Sequence, residues 1–460
     1  MKRDKEQTSK TSVLAVTAVT TFMGPFMVSS VNVALPAIQD EFSLDAVLLS
    51  WIANAYLLAT GISLVPVGKM ADIYGRKKAF AAGIFVFTLS TVVTAFCPSV
   101  SWIIGCRVVQ GLGAAMTMAT SFAIIAAVFP LNERGKAIGI TVAAVYTGLS
   151  VGPFAGGLLT GFLGWRSIFL VNGPIGILAF VLAVTKIRQE WADAAGERLD
   201  LLGSMLYAMA LVGIVYGLSA LPRSIGVGLL CAGFVAFGMF LWQELRTPCP
   251  VFEVRLFQHN RTFAFSSLAA LINYAATFAV AFLLSLYLQY IKGLSPQGAG
   301  LALVWQPITM ALFSPMAGRL SDRIEPAVIA SLGMALTAAG LILLIFLSHS
   351  TSIGYVVVSL IILGFGFALF SSPNMNAIMS SVEKRYYGVA SGAVATMRLI
   401  GQMLSMATAT LAFSLLIGSV SISPDTYGAF LSSIRWVFSI FSGLCLVGIY
   451  FSFTRGALRV

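Results

Sequence analysis

Gly68-Lys69-Met70-Ala71-Asp72-Ile73-Tyr74-Gly75-Arg76-Lys77-Lys78 stands directly after the second of a long series of apolar runs. One acid sits there among the bases Lys69, Arg76, Lys77 and Lys78. Gly68 permits close helix approach and Gly75 a tight turn. At a helix end, Asp72 can accept hydrogen bonds from a neighbouring helix N-terminus or pair with an arginine. A weaker copy, Gly318-Arg319-Leu320-Ser321-Asp322-Arg323, follows the tenth apolar run. The two copies predict a tandem repeat, each copy in a turn after a helix of the same direction.

The bulk composition agrees with this pattern of apolar runs and short basic turns. Of 460 residues, 58% are hydrophobic and 10% are charged, whereas a soluble domain carries about 25% charged residues. The length holds many spans of about 20 residues each. Fourteen apolar helices are expected between residues 12 and 454, the second at 49–68. The net charge of +11 invites a nucleic-acid reading. The bases instead fall in short clusters between apolar runs, which is the pattern of membrane topology, so no nucleic-acid partner is expected.

On one side lie Lys2, Arg3, Lys5 and Lys10, then Lys69, Arg76, Lys77 and Lys78, Arg134 and Lys136, and Lys186, Arg188 and Arg198. Arg246, Arg255, Arg261, Arg319, Arg323, Lys384, Arg385, Arg455 and Arg459 continue that side, against Arg166, Arg223 and Lys292 opposite. The asymmetry predicts an even number of spans with both termini in the cytoplasm of a plasma-membrane protein. The basic segment 1–10 precedes an apolar run too long for a signal-peptide core, so the first span is expected to be retained.

The expected organisation is a tail at 1–11, a six-helix half at 12–185, a linker with two inserted helices at 186–261, a second six-helix half at 262–454 and a tail at 455–460. Tandem halves are a transporter plan, with the substrate site between them near the bilayer midplane. Cys97, Cys106, Cys231, Cys249 and Cys445 form no C-x-x-C pair and read as small packing residues. Two histidines are too few for a His-based metal site. No phosphate loop and no paired acids at mid-membrane support an enzyme or an ATP-driven pump. No metal, no cofactor and no enzymatic activity are expected, and the chain is expected to act as a monomer.

Three motifs give the reading a name. The turn at 68–78 resembles the signature loop of the major facilitator superfamily. Arg107-Val108-Val109-Gln110-Gly111-Leu112-Gly113 resembles its fourth-helix arginine motif. Gly148-Leu149-Ser150-Val151-Gly152-Pro153-Phe154-Ala155-Gly156-Gly157 resembles the fifth-helix motif of its exporters. Val31-Asn32-Val33-Ala34-Leu35-Pro36, Trp51 to Leu58, Trp165 to Phe169 and Asn172 to Gly176 are similar to the fourteen-span drug:proton antiporters. The resemblance implies an all-α major facilitator fold that exports drugs and related amphipathic compounds, with protons as the candidate coupling ion.

It also implies roles for particular residues. Gly68, Asp72, Gly75, Arg76 and Lys77 would form a latch that closes the cytoplasmic side in one state; the alternative is turn-making and topology alone. Arg107 with Gln110, and Arg398 with Gln402, are proton-relay or gating candidates, since a charge inside the bilayer must face a cavity or a partner; the alternative for Arg107 is a structural hydrogen-bond hub. Gly148, Gly152 and Gly156 share one helix face and Pro153 can bend the helix beside Gly157; this is either a pivot or static packing. Met27, Asn32, Tyr56, Tyr287, Gln289, Gln306, Asn374 and Asn376 are candidates to line a substrate cavity.

One departure stands out. The family places an aspartate in the first span just before the Val-Asn-Val-Ala-Leu-Pro run, and here that position is Met27. No acid falls deep in an expected span, yet proton antiport needs a group that gains and loses a proton. Three readings follow: an acid near a helix end carries protons (Asp72, Glu133 or Glu244), transport is uncoupled or coupled to another ion, or the substrate is neutral or anionic and drawn by Arg107 and Arg398. A membrane sensor that keeps the fold without moving solute is the competing class.

Overall fold

The computed structural model describes residues 10–248, 250–321, 323–382, 387–418 and 420–456. Cys249, Asp322, Lys384, Arg385, the tail residues 1–9 and 457–460, and the side chains of Arg134 and Lys136 lie outside the described residues. The described residues are helices joined by short connections, with no strand among them. In a bilayer every backbone polar group needs an internal partner, which helices supply within one segment.

The first half contains α1 (Lys10–Phe42), α2 (Ala46–Tyr74), α3 (Arg76–Thr94), α4 (Val100–Val128), α5 (Leu131–Leu163) and α6 (Arg166–Lys186). The inserted pair is α7 (Leu201–Ala220) and α8 (Ser224–Arg246), followed by a short α9 (Val254–His259). The second half contains α10 (Arg261–Leu286) with a π-turn at Tyr287–Ile291, α11 (Pro296–Leu303) and α12 (Trp305–Ser321) as one broken span, then α13 (Pro326–Ile345), α14 (Ile353–Ser380), α15 (Tyr387–Leu416) and α16 (Tyr427–Thr454). Among the described residues, fourteen helical segments are long and apolar enough to span a membrane. Starts are capped by the sequence itself: Asp45, Asp200, Asn260, Ser295 and Ser352 each accept a backbone N–H of the first turn.

The tandem repeat is visible in the packing. In the first half α1 pairs with α5, α2 with α4 and α3 with α6; in the second α10 pairs with α15, α12 with α14 and α13 with α16. Glycines set equivalent close crossings. A Cβ on Gly113 would lie 2.8 Å from the Gly83 carbonyl oxygen, and one on Gly366 would lie 2.8 Å from that of Gly333. Side chains at these points would force the backbones apart.

Several expectations change. The motif at 68–78 is not an extended turn. Helix α2 runs on to Tyr74, past the expected end at 68, and the turn is Gly75 alone, whose φ of 123° favours glycine. The weaker copy likewise begins on α12, which ends at Ser321. Arg455 is not a free tail residue. It is 1% exposed, and its Nη1 donates to Asn374 Oδ1 at 2.7 Å and Ser266 Oγ at 3.2 Å. Burial pushes its pKa down to about 10, which leaves it charged at neutral pH. Cys97 and Cys106, nine residues apart and read as separate packing residues, bring their Sγ atoms within 3.7 Å as free thiols.

Large apolar side chains such as Phe234, Trp242, Leu332 and Phe453 cover the periphery. That is the surface a lipid bilayer solvates. Leucine at Gly113 or Gly366 should lower the melting temperature in detergent, at a cost of about 1–3 kcal/mol from overpacking. Gly228→Leu, where an added Cβ meets nothing within 4 Å, should leave it unchanged, as read by intrinsic fluorescence on heating.

Candidate functional site

The two halves face each other across α1, α2 and α5 on one side and α10, α11, α12 and α15 on the other. Their contacts concentrate at the end away from the basic turns. Pro36 lacks the N–H that would bond the carbonyl four residues back, so the Asn32 carbonyl is left without its helical donor. Ser285 Oγ on α10 donates to it at 2.7 Å, and Gln289 Nε2 donates to the Val33 carbonyl at 3.0 Å. On the neighbouring flank Ser50 Oγ and Thr410 Oγ1 are 2.8 Å apart, and Asn54 Nδ2 donates to Thr410 at 2.8 Å. The backbone N–H of Ala46 donates to the Val420 carbonyl at 3.1 Å.

The fifth-helix motif contributes to this seal with one of its two faces. Gly148, Gly152 and Gly156 lie against α1, where Ser30 Oγ donates to the Gly152 carbonyl at 2.9 Å and Ser29 Oγ to that of Gly148 at 3.3 Å. Pro153 and Gly157 face the other half. A Cβ on Gly300 of α11 would strike the Pro153 carbonyl, and one on Gly157 would strike the Pro296 carbonyl. Toward the basic end the picture differs: a Cβ on Gly139 of α5 or Gly392 of α15 would meet nothing within 4 Å.

At the basic end the latch residues engage the first linker rather than the opposite half. Arg76 Nε donates to Asp72 Oδ1 at 2.6 Å, and its Nη1 pairs with Asp193 Oδ2 at 2.7 Å. The Arg76 N–H donates to the Trp191 carbonyl at 2.8 Å, and the Ala194 N–H to the Asp72 carbonyl at 3.0 Å. Glu190 Oε1 accepts the Lys77 N–H at 2.8 Å and its carboxyl lies over Gly75, where a Cβ would come within 2.6 Å. Lys69 pairs with Glu197 at 2.6 Å. Gly68 is open apart from Ala119. The linker acids were missed as site residues in sequence; their only signal was the run Glu190, Asp193 and Glu197 within a charge-mixed linker.

At mid-membrane the two arginines differ. Arg107 is 1% exposed, and its Nε donates to the Ile52 carbonyl at 3.0 Å. Its Nη1 donates to Gln110 Oε1 at 2.5 Å, and Gln110 Nε2 passes the chain on to Thr91 Oγ1 at 2.6 Å. The guanidinium carbon stands 4.5 Å from the centre of the Tyr56 ring, a cation–π arrangement. These bonds tie α4 to α2 and α3. Arg398 on α15 is half-buried, with its Nε lacking any hydrogen-bond partner, and Gln402 follows one turn later on α15. Tyr56 and Tyr146 both lie within electrostatic range of Arg398, and Tyr146 also reaches Ser314 and Ser371 of the second half.

The cavity candidates separate. Met27 is fully buried in the first half, and Asn172 Nδ2 on α6 lies 2.9 Å from its Sδ. This neutral pair occupies the place of the expected acid. Asn32 acts through its carbonyl in the seal, and Gln289 also lines a shallow cavity of about 250 Å³ beyond it with Asp40 and Tyr290. Tyr287 is buried in the second half, donating to the Ser348 carbonyl at 2.7 Å. Asn374 binds Arg455 and the Ser266 carbonyl, Asn376 binds Ser321, and the Gln306 carbonyl packs on Gly364. Tyr56 is the candidate whose electrostatics include Arg398.

Two measurements follow. Gly300→Leu should wedge α11 from α5, so spin labels at Leu48 and Asp425 should move apart in double electron–electron resonance; an unchanged distance distribution refutes the seal. Asp193→Lys should speed hydrogen exchange at the Ala194 amide by about fivefold at low salt, since an exposed pair contributes up to ~1 kcal/mol.

Known proteins share this sequence and architecture. The family model described as the Major Facilitator Superfamily matches residues 17–247 and 266–457. The riboflavin transporter RibZ of Clostridioides difficile (strain 630) is 31% identical over 402 residues, covering 87% of each chain. The multidrug resistance protein Stp of Mycobacterium tuberculosis (strain CDC 1551 / Oshkosh) is 32% identical over 403 residues, covering 85% of this chain and 74% of that one. A bacterial homolog of the human lysosomal transporter Spinster, solved in an inward-facing and unoccupied conformation, has a TM-score of 0.71 over 97% of this chain and 96% of its own at 17% identity, a likeness of fold. With fourteen candidate spans, a tandem pair of six-helix halves and a model match over nearly the whole chain, this protein belongs to the Major Facilitator Superfamily of membrane transporters.

Proposed function

We propose that the protein is a secondary active exporter of small amphipathic compounds, working by alternating access in the plasma membrane. The observation that carries this reading is the one-sided contact between the halves, built in part from the exporter-type motif at Pro153 and Gly157. The basic turns orient their end to the cytoplasm, so the sealed end faces outward and the protein rests open to the cell interior. Substrate enters from inside; rocking of the halves about the midplane then breaks the bonds of Ser285, Gln289 and Thr410 and closes the cytoplasmic end. The names of the relatives, a multidrug resistance protein and a riboflavin transporter, support a small-molecule cargo.

Protons are the proposed coupling ion, with Glu244, Glu133 and Asp72 as carriers near helix ends. Glu244 fits best by position. It is 2% exposed, with Oε2 accepting the Phe252 N–H at 2.9 Å and Oε1 without a partner. The latch would exchange its linker partners when the cytoplasmic end closes. A second reading, transport that is uncoupled or coupled to another ion, draws on the neutral Met27–Asn172 pair and on the described acids, all of which lie at helix ends or in connections. Dye flux in vesicles containing the purified protein should rise several-fold under an imposed pH gradient. Equal flux with and without the gradient would overturn proton coupling while leaving transport itself standing.

A further inference from the structure

We infer that Arg398 is the docking point for an anionic oxygen on the transported compound, so that the site selects planar, negatively charged amphipaths over cationic ones. This rests on the exporter reading above and narrows it to a substrate class.

Position comes first. Helices α2 and α15 run antiparallel along the interface, with Asn54 bonded to Thr410 near the seal and Gly61 against Met403 nearer the basic end. Arg398 lies one further turn and a half along α15 in that direction, where the halves begin to part. Tyr56 of α2 and Tyr146 of α5, both on the opposite half, lie within electrostatic range of it.

Bonding comes second. The other guanidiniums inside the bundle each have bonding partners: Arg107 has Ile52, Gln110 and the Tyr56 ring, Arg435 has the Leu347 carbonyl, and Arg455 has Asn374 and Ser266 at Nη1, while its Nε and Nη2 are buried without one. The Nε of Arg398 is buried without a hydrogen-bond partner, and no ion pair among the described residues engages the side chain. A charge at this depth is costly unless something answers it. No described carboxylate lies near the middle of a span, so the protein itself offers no counter-charge. Arg107, behind Tyr56, adds to the same positive field.

Shape comes third. Arginine binds carboxylate-type oxygens through a flat fork of donors. Tyr56 and Tyr146 lie within its electrostatic range, Tyr274 within that of Tyr146, and Gln402 is one turn along the helix. Aromatic faces with one cation suit a flat body that carries an acidic group.

Two xanthene dyes of opposite charge test this with little change in shape. The full chain is reconstituted in phosphatidylcholine vesicles, where no anionic headgroup competes. Flux above protein-free vesicles is measured against concentration for fluorescein (anionic) and rhodamine 6G (cationic). The wild type should half-saturate at lower fluorescein than rhodamine concentration. Arg398→Gln should shift the ratio of the two half-saturation values by about tenfold against fluorescein, equivalent to ~1.4 kcal/mol, and Arg398→Lys should retain most of the preference. A wild type that prefers rhodamine, or an Arg398→Gln shift equal for both dyes, overturns the inference while the exporter reading stands. Movement of neither dye by the wild type overturns both.

Discussion

A carbonyl inside a bilayer must find a donor, and Pro36 leaves that of Asn32 without its helical one. The donor comes from Ser285 on the other half. This single unmet requirement ties the conformation of the whole transporter to one local bond. With the halves in contact at this end, the carbonyl is satisfied across the interface; in the alternating-access cycle proposed above, water in the opened cleft would take over. Proline therefore marks a place where α1 needs a partner that only one state provides. The seal around it is built in the same economical way. Gly157 and Gly300 bring backbones together, and Thr410 serves both Ser50 and Asn54.

Charge follows a similar logic. Arg107 is answered by a backbone carbonyl, an amide and an aromatic face, so it holds α2, α3 and α4 as one body. Arg398 is answered by nothing of the protein's own bonding groups at Nε. Two arginines inside spans thus do opposite work, one fastening a half together and one facing across the gap. Where the resemblance leads one to expect a carboxylate, Met27 meets Asn172, a neutral pair. Arg107 and Arg398 are thus positive charges within the spans, while the described carboxylates lie at helix ends or in connections.

The linkers are part of the mechanism's frame. Glu190, Asp193 and Glu197 gather around Gly75, Arg76 and Lys69, and the inserted pair leans on both halves through Tyr207 to Gly61 and Ser414 to Leu221. The residues of the motif are therefore held by neighbouring chain, through pairs whose acids are exposed and whose bases are largely buried. Any cytoplasmic closure has to rearrange these contacts.

The sequence by itself determined the class, the span count, the repeat and the family. Those rest on local rules: apolar length against bilayer thickness, basic turns against topology, and motifs carried within a few residues. It also marked Gly148, Gly152 and Gly156 as one face, because helical periodicity is local. Tertiary structure decided what each marked residue does. Tyr287, Asn374 and Asn376 looked like cavity residues because polar groups in spans are costly, yet that cost is equally met by a partner inside a half, as Ser348, Arg455 and Ser321 show. Arg107 and Arg398 were indistinguishable as charges in spans, since pairing depends on helices distant in sequence. The motif at 68–78, read first as a turn, proved to be helix up to one glycine, and its function as a contact emerged only when the folded chain brought the linker acids to it.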